Sequence, residues 1–346
     1  MRFRKPSETP QDLFSQIQHS QRLAELSTPL DKLAEVIDFE LFRKTLMSAM
    51  GYVKKKDLGG NTPFDPVFMF KIVILQKYYN LSEEQTEFQI MDRFSFMRFL
   101  GLFPGDKIPD KNTIWLFKEK LGADGVIELF NQLDSLLLDS GIIGKEGVSV
   151  DASFVDVPKQ RNTRAENKSI KNGKLPEGWE NHSAQKLRQK DLDARWTKKN
   201  SEVHYGYKNH SKMDNHTKLL RRWLVSPASE HDSQCFMEIL DDSDGVVYAD
   251  SAYRSKETMK QLRKRKIKAR INQKGTKVKS LTKSQKYSNK QKSKIRCRVE
   301  HVFGDQAHIG ADKIRSIGIL RACRGIGLGN LVYNLRRLSQ LGLQVS

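Results

Sequence analysis

Apolar residues recur at helical spacing through roughly the first 140 residues of the chain. Residues 12–17 and 32–50 favour helices, and 67–79 gives the strongest helical pattern. Ser82, followed three residues later by Gln85, has the form of a capping box and predicts a helix that continues to about residue 100. Two helices joined by a short turn fit a helix-turn-helix DNA module and a plain helical hairpin equally well.

Two more helices complete the predicted N-terminal region. One begins near residue 110, and the other spans about 124–138 and ends at Gly141. We therefore expect residues 1–140 to form a helical domain that serves DNA binding or dimerisation.

The pattern changes at Gly147, where β-branched residues become frequent. Residues 148–157 predict a strand bounded by Gly and Pro. The polar stretch 158–203 predicts either a functional insertion or a mobile loop. The remaining predicted elements are a hairpin (204–213 and 218–225), a helix (232–240), a strand (245–250), a basic helix (256–266), a strand (267–272) and helices at 296–304 and 325–341. This order predicts an α/β fold: a ribonuclease H-like domain over residues 141–346, with a mixed sheet flanked by helices.

Charge identifies the most plausible class of partner. The chain has 61 Lys+Arg and 41 Asp+Glu, a formal net charge of +20, which favours nucleic acid over an acidic membrane surface. Residues 254–298 alone hold 19 Lys+Arg and one acid, Glu257, or +18. We predict that this basic segment contacts DNA phosphates. Its candidate contacts are Arg254, Lys264, Arg265 and Arg298. Cations within 158–203 predict either a DNA-binding arm or a spacer.

Other classes of protein find little support. The apolar stretch 67–75 is interrupted by Lys71 and is far shorter than the roughly 20 residues of a membrane span, so we expect a cytoplasmic protein. Cys235, Cys297 and Cys323 are far apart and are expected to be buried or half-buried thiols. P-loop, nucleophile-elbow and H-E-x-x-H motifs are absent from the sequence. His204, His210 and His216 recur every six residues, but the hairpin turn makes a zinc site improbable.

Three carboxylates are the candidates for chemistry. Asp151 lies inside one apolar strand and Asp250 ends another, where a bare charge is costly without a partner such as a metal ion. For either residue alone, a helix cap or a solvated turn is the simpler interpretation. Glu300 follows Arg296 by four residues, which predicts either a third metal ligand or an ordinary ion pair on one helix face. Two metal ions held by oxygen ligands would suit phosphoryl transfer on DNA, with Mg²⁺ or Mn²⁺ as the metal.

Several sequence strings together carry a resemblance over nearly the whole chain. They are TEFQIMDRFSFMRFLGL (86–102), IPDKNTIWLFK (108–118), VDASFVD (150–156), HYGYKNH (204–210), HDS (231–233), YADSAY (248–253), RCRVEHVFG (296–304) and GLGNLVYNL (327–335). With these strings the chain resembles the DDE transposases of bacterial insertion sequences, in the group whose prototype is insertion sequence five.

The resemblance implies a ribonuclease H-like domain with Asp151, Asp250 and Glu300 as catalytic residues and metal ligands. It implies DNA cleavage at insertion-sequence ends and strand transfer into target DNA, with two Mg²⁺ ions in each active site. It further implies that the partners are element terminal inverted repeats and target DNA, bound by a homodimer at the bacterial nucleoid. We interpret Arg296, Lys208 and His231 as supporting residues of the site.

One departure from the pattern concerns the third motif. Related families carry a Tyr before the Arg and a Lys after the Glu, where this chain has Ser293 and Ala307. Tyr287 or Lys313 are possible substitutes. A metal-dependent nuclease that does not join strands, and a catalytically silent DNA-binding regulator, are the alternative functions.

Overall fold

The computed structural model describes residues 21–22, 25–51, 62–144, 146–199, 201–275 and 280–345. Before residue 140 the secondary-structure elements of these residues are helices, as predicted. The helices are α1 (Pro29–Val36), α2 (Arg43–Ala49), α3 (Pro66–Tyr78), α4 (Glu83–Asp92), α5 (Phe94–Leu100) and α6 (Lys111–Asp139), with a short 3₁₀ turn at Phe39–Phe42. The predicted helix at 12–17 lies outside the described residues.

Helix α3 forms the centre of this N-terminal region. Asp65 caps its first turn, Pro66 occupies the first helical position, and most of its side chains are buried. The predicted capping box of Ser82 and Gln85 is confirmed at the start of α4. The predicted continuous helix to residue 100 is wrong, because Arg93 has an extended backbone that divides it into α4 and α5.

The sheet of the second region has six strands among the described residues. They are β1 (Val148–Asp156), β2 (Arg195–Lys199), β3 (Glu202–Asp214), β4 (Leu220–Pro227), β5 (Val246–Ala249) and β6 (Lys268–Ile271). The strand order is β2-β3-β1-β5-β6. Strand β4 also pairs with β3, along the same edge of β3 that pairs with β2. Strand β3 is antiparallel to β1, whereas β1, β5 and β6 are parallel. This mixed sheet confirms the predicted ribonuclease H-like fold.

Helices cover both faces of the sheet. They are α7 (Arg164–Lys171), α8 (Ala184–Leu187), α9 (Asp232–Ile239), α10 (Lys256–Lys264), α11 (Lys283–Arg296), α12 (Arg298–His308) and α13 (Ile319–Leu341). Val148, Val150 and Val247 belong to a core shared with α9 and α10. The opposite face contributes Val155 to a larger core with α6, α12 and α13. No helix within the described ranges is long and apolar enough to cross a membrane.

The polar stretch 158–203 is folded where it is described. It contains α7, α8 and strand β2, which pairs with β3. Trp179 is 2% exposed, and its indole N–H donates to Glu166 at 2.7 Å. The interpretation of this stretch as a mobile loop or disordered spacer is therefore wrong for the described residues.

The basic segment contains a helix that the apolar pattern did not predict. Helix α11 begins at a capping box formed by Thr282 and Gln285 and has no buried side chain. It meets α12 at Cys297, so the single helix predicted over 296–304 is two helices. Cys297 is exposed, in contrast to the buried or half-buried thiol expected there, whereas Cys235 is buried and Cys323 is half-buried.

Candidate active site

Asp151 and Asp250 lie on neighbouring parallel strands. The register pairs Val148 with Val247 and Ser149 with Tyr248. Continued by two residues, it places Asp151 opposite Asp250, which directly follows β5. Because side chains alternate along a strand, both carboxylates project from the sheet face opposite to Val148 and Val150. The fold therefore brings together two acids that are 99 positions apart (250 − 151) in the sequence.

Helices α11 and α12 bring Glu300 to the same region. Arg296 ends α11 and donates through Nη1 to Oδ2 of Asp151 at 2.5 Å. Its Nη2 lies 3.6 Å from Oε1 of Glu300, in the first turn of α12. The guanidinium of Arg296 thus connects Asp151 with Glu300 across the junction of the two helices.

The two aspartates differ in their surroundings. Burial raises the pKa of Asp151, although the Ala152 N–H and the Arg296 charge oppose this effect, and the nearby Asp250 charge adds to it. Asp250 caps the 3₁₀ turn Ser251–Tyr253 by accepting from the Ser251 N–H at 2.6 Å through Oδ1. The simpler interpretations given by the sequence, a helix cap for Asp250 and an ion pair with Arg296 for Glu300, are therefore both present. Among the described residues, Oδ2 of Asp250 takes part in no hydrogen bond or ion pair.

Comparison with known protein families assigns both regions. Residues 143–335, more than half of the chain, match the family described as Transposase DDE domain. This chain belongs to the DDE transposase family. Residues 17–120 match a second family, described as Transposase domain (DUF772). The transposase is also similar to a chain in a solved structure, the cryo-EM structure of piggyBac transposase synaptic complex with hairpin DNA. That similarity has a TM-score of 0.44 and 11% identity and covers 92% of this chain and 77% of the other.

Family membership makes this protein an enzyme of DNA transposition that acts on DNA and depends on a divalent metal ion. The donor types around Asp151 fit such an ion, because carboxylate oxygens are the ligands that Mg²⁺ and Mn²⁺ prefer. Within the described part of the chain, no group of three His, Cys, Asp or Glu side chains is arranged to hold a metal ion. Arg296 lies between two of the predicted ligands and neutralises Asp151 in this arrangement.

Cations collect beside Asp250 at the carboxyl end of β6. Arg254 and Lys292 both donate to the Ile271 carbonyl, at 3.4 Å and 3.1 Å. Burial lowers the pKa of Lys292, and the charges of Arg254 and Arg270 lower it further. Part of the basic segment is thus placed where a DNA phosphate near the carboxylates could be bound, with Arg254 among the predicted contacts.

Lys208 and His231 lie together, but not on the face of the carboxylates. Lys208 is paired with Phe154, so it shares the opposite face from Asp151. Its ammonium donates to Asp232 at 2.7 Å and to the Glu230 carbonyl at 2.6 Å. His231 caps α9 by accepting from the Ser233 N–H. These contacts give both residues a structural role that the sequence did not predict.

The remaining predicted DNA contacts are dispersed. Lys264 and Arg265 end α10, at the opposite end of β6 from Arg254. Arg265 donates to the carbonyls of Met237 and Leu240, whereas Lys264 is exposed. Arg298 donates to the Asn215 carbonyl at 2.5 Å. The structure therefore does not gather the four predicted contacts into one cluster.

Tyr253 is a neighbour of the site that sequence analysis missed. It is 1% exposed and packs against Phe236 with ring centroids 4.8 Å apart. Its hydroxyl has no hydrogen-bond partner among the described residues. Burial and the charges of Asp151, Asp232 and Asp250 raise its pKa well above the ordinary value. Its position three residues after Asp250, within YADSAY, is the sequence signal that could have identified it.

His204, His210 and His216 have separate partners and are not gathered into one cluster. His210 is buried against the Ser226 hydroxyl at 2.8 Å, and burial lowers its pKa to about 4. His204 stacks on Phe154, whereas His216 faces Glu146.

Proposed function

We propose that Asp151, Asp250 and Glu300 are the catalytic carboxylates of this transposase. The observation that supports this proposal is the shared sheet face of Asp151 and Asp250, with Glu300 linked to Asp151 by Arg296. In this proposal the three side chains supply oxygen ligands to two Mg²⁺ ions, with Mn²⁺ as a substitute. When bound, these ions would activate the attacking oxygen and stabilise the leaving oxygen of an in-line displacement.

The proposed chemistry has two phosphoryl transfers. In the first, the oxygen of a water molecule forms a new P–O bond at the element end and loses a proton, while the P–O3′ bond breaks and the leaving 3′-oxygen takes up a proton. In the second, that 3′-hydroxyl attacks a phosphodiester of target DNA, loses its proton and displaces another 3′-oxygen. Neither step needs an oxidant or a nucleotide cofactor, so the chain has to orient phosphates and hold carboxylates.

Arg296 has a positioning role in this proposal. Its guanidinium holds Asp151 and reaches Glu300, so it fixes the relative placement of two carboxylates. Arg254, Arg270 and Lys292 supply positive charge next to Asp250, which fits a binding site for DNA phosphates. Cation contacts of this kind position DNA without reading its sequence.

We further propose that the substrates are the terminal inverted repeats of the element and a target duplex. Because two element ends have to be joined to one target, we expect a homodimer in the DNA complex. Because the substrate is DNA, we expect the enzyme to act in the bacterial cytoplasm, at the nucleoid.

A strand-transfer assay tests the catalytic proposal. Purified protein is mixed with terminal-repeat DNA and a supercoiled target, with Mg²⁺ or with EDTA. Asp250→Asn is the informative variant, because the amide oxygen can still accept from the Ser251 N–H while the charge is removed. Asp139→Asn, at the exposed end of α6, is the matched control.

We expect Mg²⁺-dependent joined products for the native protein and the control, and a loss of more than 100-fold for Asp250→Asn. Cleavage without joining would favour the nuclease. Metal-dependent joining that survives in Asp250→Asn would contradict the assigned role of Asp250. DNA binding without cleavage, in the native protein and in both variants, would favour the alternative function of a catalytically silent DNA-binding regulator.

A further inference from the structure

A second basic site lies in a cleft between the helical N-terminal region and the catalytic region. The cleft has a volume of about 510 Å³. Its walls come from the end of α3 and start of α4, from α6, and from the connection between α12 and α13. Seven cations and two acids line it, a net charge of +5 (7 − 2): Lys77, Lys118, Arg188, Lys313, Arg315, Arg321 and Arg324 against Glu83 and Glu119.

The floor of the cleft is held by internal ion pairs. Glu119 accepts from Arg321 at 2.8 Å and from Arg324 at 2.7 Å. Lys118 pairs with Glu83 at 2.5 Å. These pairs join α6 to α13 and to α4, so the cleft walls are fixed relative to one another.

The cations at the rim have no such partners. Arg188, Lys313 and Arg315 are exposed, and the described part of the chain provides no ion pair or side-chain hydrogen bond for any of them. Since the two acids of the cleft are already occupied, these three charges are available to an external anion.

Lys77 gives a second, independent indication of an anion. Its ammonium, which has three donor hydrogens, donates to the Gly310 carbonyl at 3.1 Å. Within the described residues it has no other hydrogen bond and no ion pair. Burial lowers the pKa of Lys77 to about 8, against the opposing effect of the Asp312 charge. A half-buried ammonium with one neutral acceptor would be stabilised by a phosphate in the cleft.

The cleft is placed to receive DNA that lies in the active site. Glu300 is in the first turn of α12, and Gly310 follows the last turn of the same helix. The 11 residues of α12 span roughly 16 Å. That length corresponds to about five base pairs of duplex at 3.4 Å each.

We propose that this cleft binds the sugar–phosphate backbone of the element-end duplex, a few base pairs from the carboxylates. The proposal rests on the proposed function and adds a DNA site outside the basic segment 254–298. Lys313 and Arg315 contact phosphates at the rim, and Lys77 draws the backbone inward. Trp115, 45% exposed at the same cleft, lies against the bound strand.

Binding of a fluorescein-labelled terminal-repeat duplex, followed by anisotropy in EDTA, tests the proposal. The double variant Lys313→Ala with Arg315→Ala is compared with Lys32→Ala and Lys44→Ala, two exposed cations that do not line the cleft. We expect the cleft variant to bind about tenfold more weakly. Its slope of log K against log salt should fall by about 2, one unit for each lost phosphate contact. Equal effects in both double variants, or no effect in the cleft variant, would overturn the proposal.

Tryptophan fluorescence locates the bound strand. DNA should change the emission of the native protein, and that change should be largely lost in Trp115→Phe. An unaltered response in Trp115→Phe would refute the placement against Trp115.

Because binding is measured without metal, this test is separate from catalysis. Cleft-dependent binding without strand transfer would contradict the proposed catalytic function alone. Strand transfer with cleft-independent binding would contradict the cleft proposal alone.

Discussion

Gly327 lets α13 lie directly against the edge of the catalytic sheet, and an added methyl group there should destabilise the protein. A Cβ at this position would lie 2.5 Å and 2.7 Å from Cζ2 and Cη2 of Trp223, and 2.7 Å from Cγ1 of Val126. Carbon atoms pack best at about 3.5–4.0 Å, so each contact is roughly 1 Å too short. Neither neighbour is the end of a flexible side chain. Trp223 is 7% exposed and packs edge-on against Phe130 at 6.1 Å.

The magnitude follows from two opposing effects. Overpacking of a buried site costs about 1–3 kcal/mol, and three contacts with rigid neighbours place Gly327→Ala at the upper end. Replacing a helical Gly by Ala recovers about 1 kcal/mol. We expect the free energy of unfolding to fall by about 2 kcal/mol.

Gly304→Ala is the matched control. Gly304 lies in α12, is exposed, and an added Cβ would meet nothing within 4 Å. Only the higher helix propensity of Ala then remains, so we expect Gly304→Ala to raise the free energy of unfolding by about 0.5–1 kcal/mol. Urea unfolding followed by circular dichroism measures both variants at a common slope. A Gly327→Ala protein as stable as the native one, or a shift of the same sign in both variants, would refute the packing argument.

Three further predictions concern buried or bridging cations. Lys212 is fully buried between Asp241 and Asp244, so Lys212→Ala should lower the free energy of unfolding by about 3–5 kcal/mol in urea titrations, and a loss below about 1 kcal/mol would contradict this. Burial holds the pKa of Lys77 at about 8 in the folded state, against 10.5 ordinarily, so its buried charge destabilises the folded state. This destabilisation is absent above pH 10.5, grows as the pH falls, and is complete below about pH 8. Lys77→Met should therefore stabilise the protein by about 3 kcal/mol at pH 7 and progressively less above pH 8, and an advantage independent of pH would argue against burial as the cause. Arg296→Ala should lower stability in EDTA by about 1.5–3 kcal/mol with partial recovery in Arg296→Lys, and no change in the urea midpoint would show that the pair with Asp151 contributes nothing.

Sequence patterns predicted the elements that bury a face. Strands β1 and β5 are rich in β-branched residues and bounded by Gly or polar turns. The predicted ends of both strands lie within about two residues of the observed ends. Helix α11 was not predicted, because apolar periodicity detects only helices that bury a face, and α11 has no buried side chain. For the polar stretch 158–203, the mobile-loop alternative failed for a related reason. Its folding depends on Trp179 and on the pairing of β2 with β3, and a low average hydrophobicity conceals both.

The candidate site was predictable by residue type but not by contact. Asp151 and Asp250 were recognised because a carboxylate within or after an apolar strand needs a partner. Their alignment follows from the parallel register of β1 and β5, which no local pattern encodes. Lys208 illustrates the reverse case. Its motif suggested the active site, yet strand alternation places it on the other face, paired with Asp232.

The contacts of Arg296 show how two of the proposed metal ligands, Asp151 and Glu300, are held relative to one another. Burial disfavours the charged form of Asp151, and the adjacent Asp250 adds repulsion. Arg296 opposes both effects at 2.5 Å without cancelling them, and its Nε remains buried without a partner among the described residues. One guanidinium thereby orients Asp151 beside Asp250. Because Glu300 is 64% exposed and lies 3.6 Å from the same guanidinium, it is held less closely than Asp151, which is 17% exposed and lies 2.5 Å from Arg296.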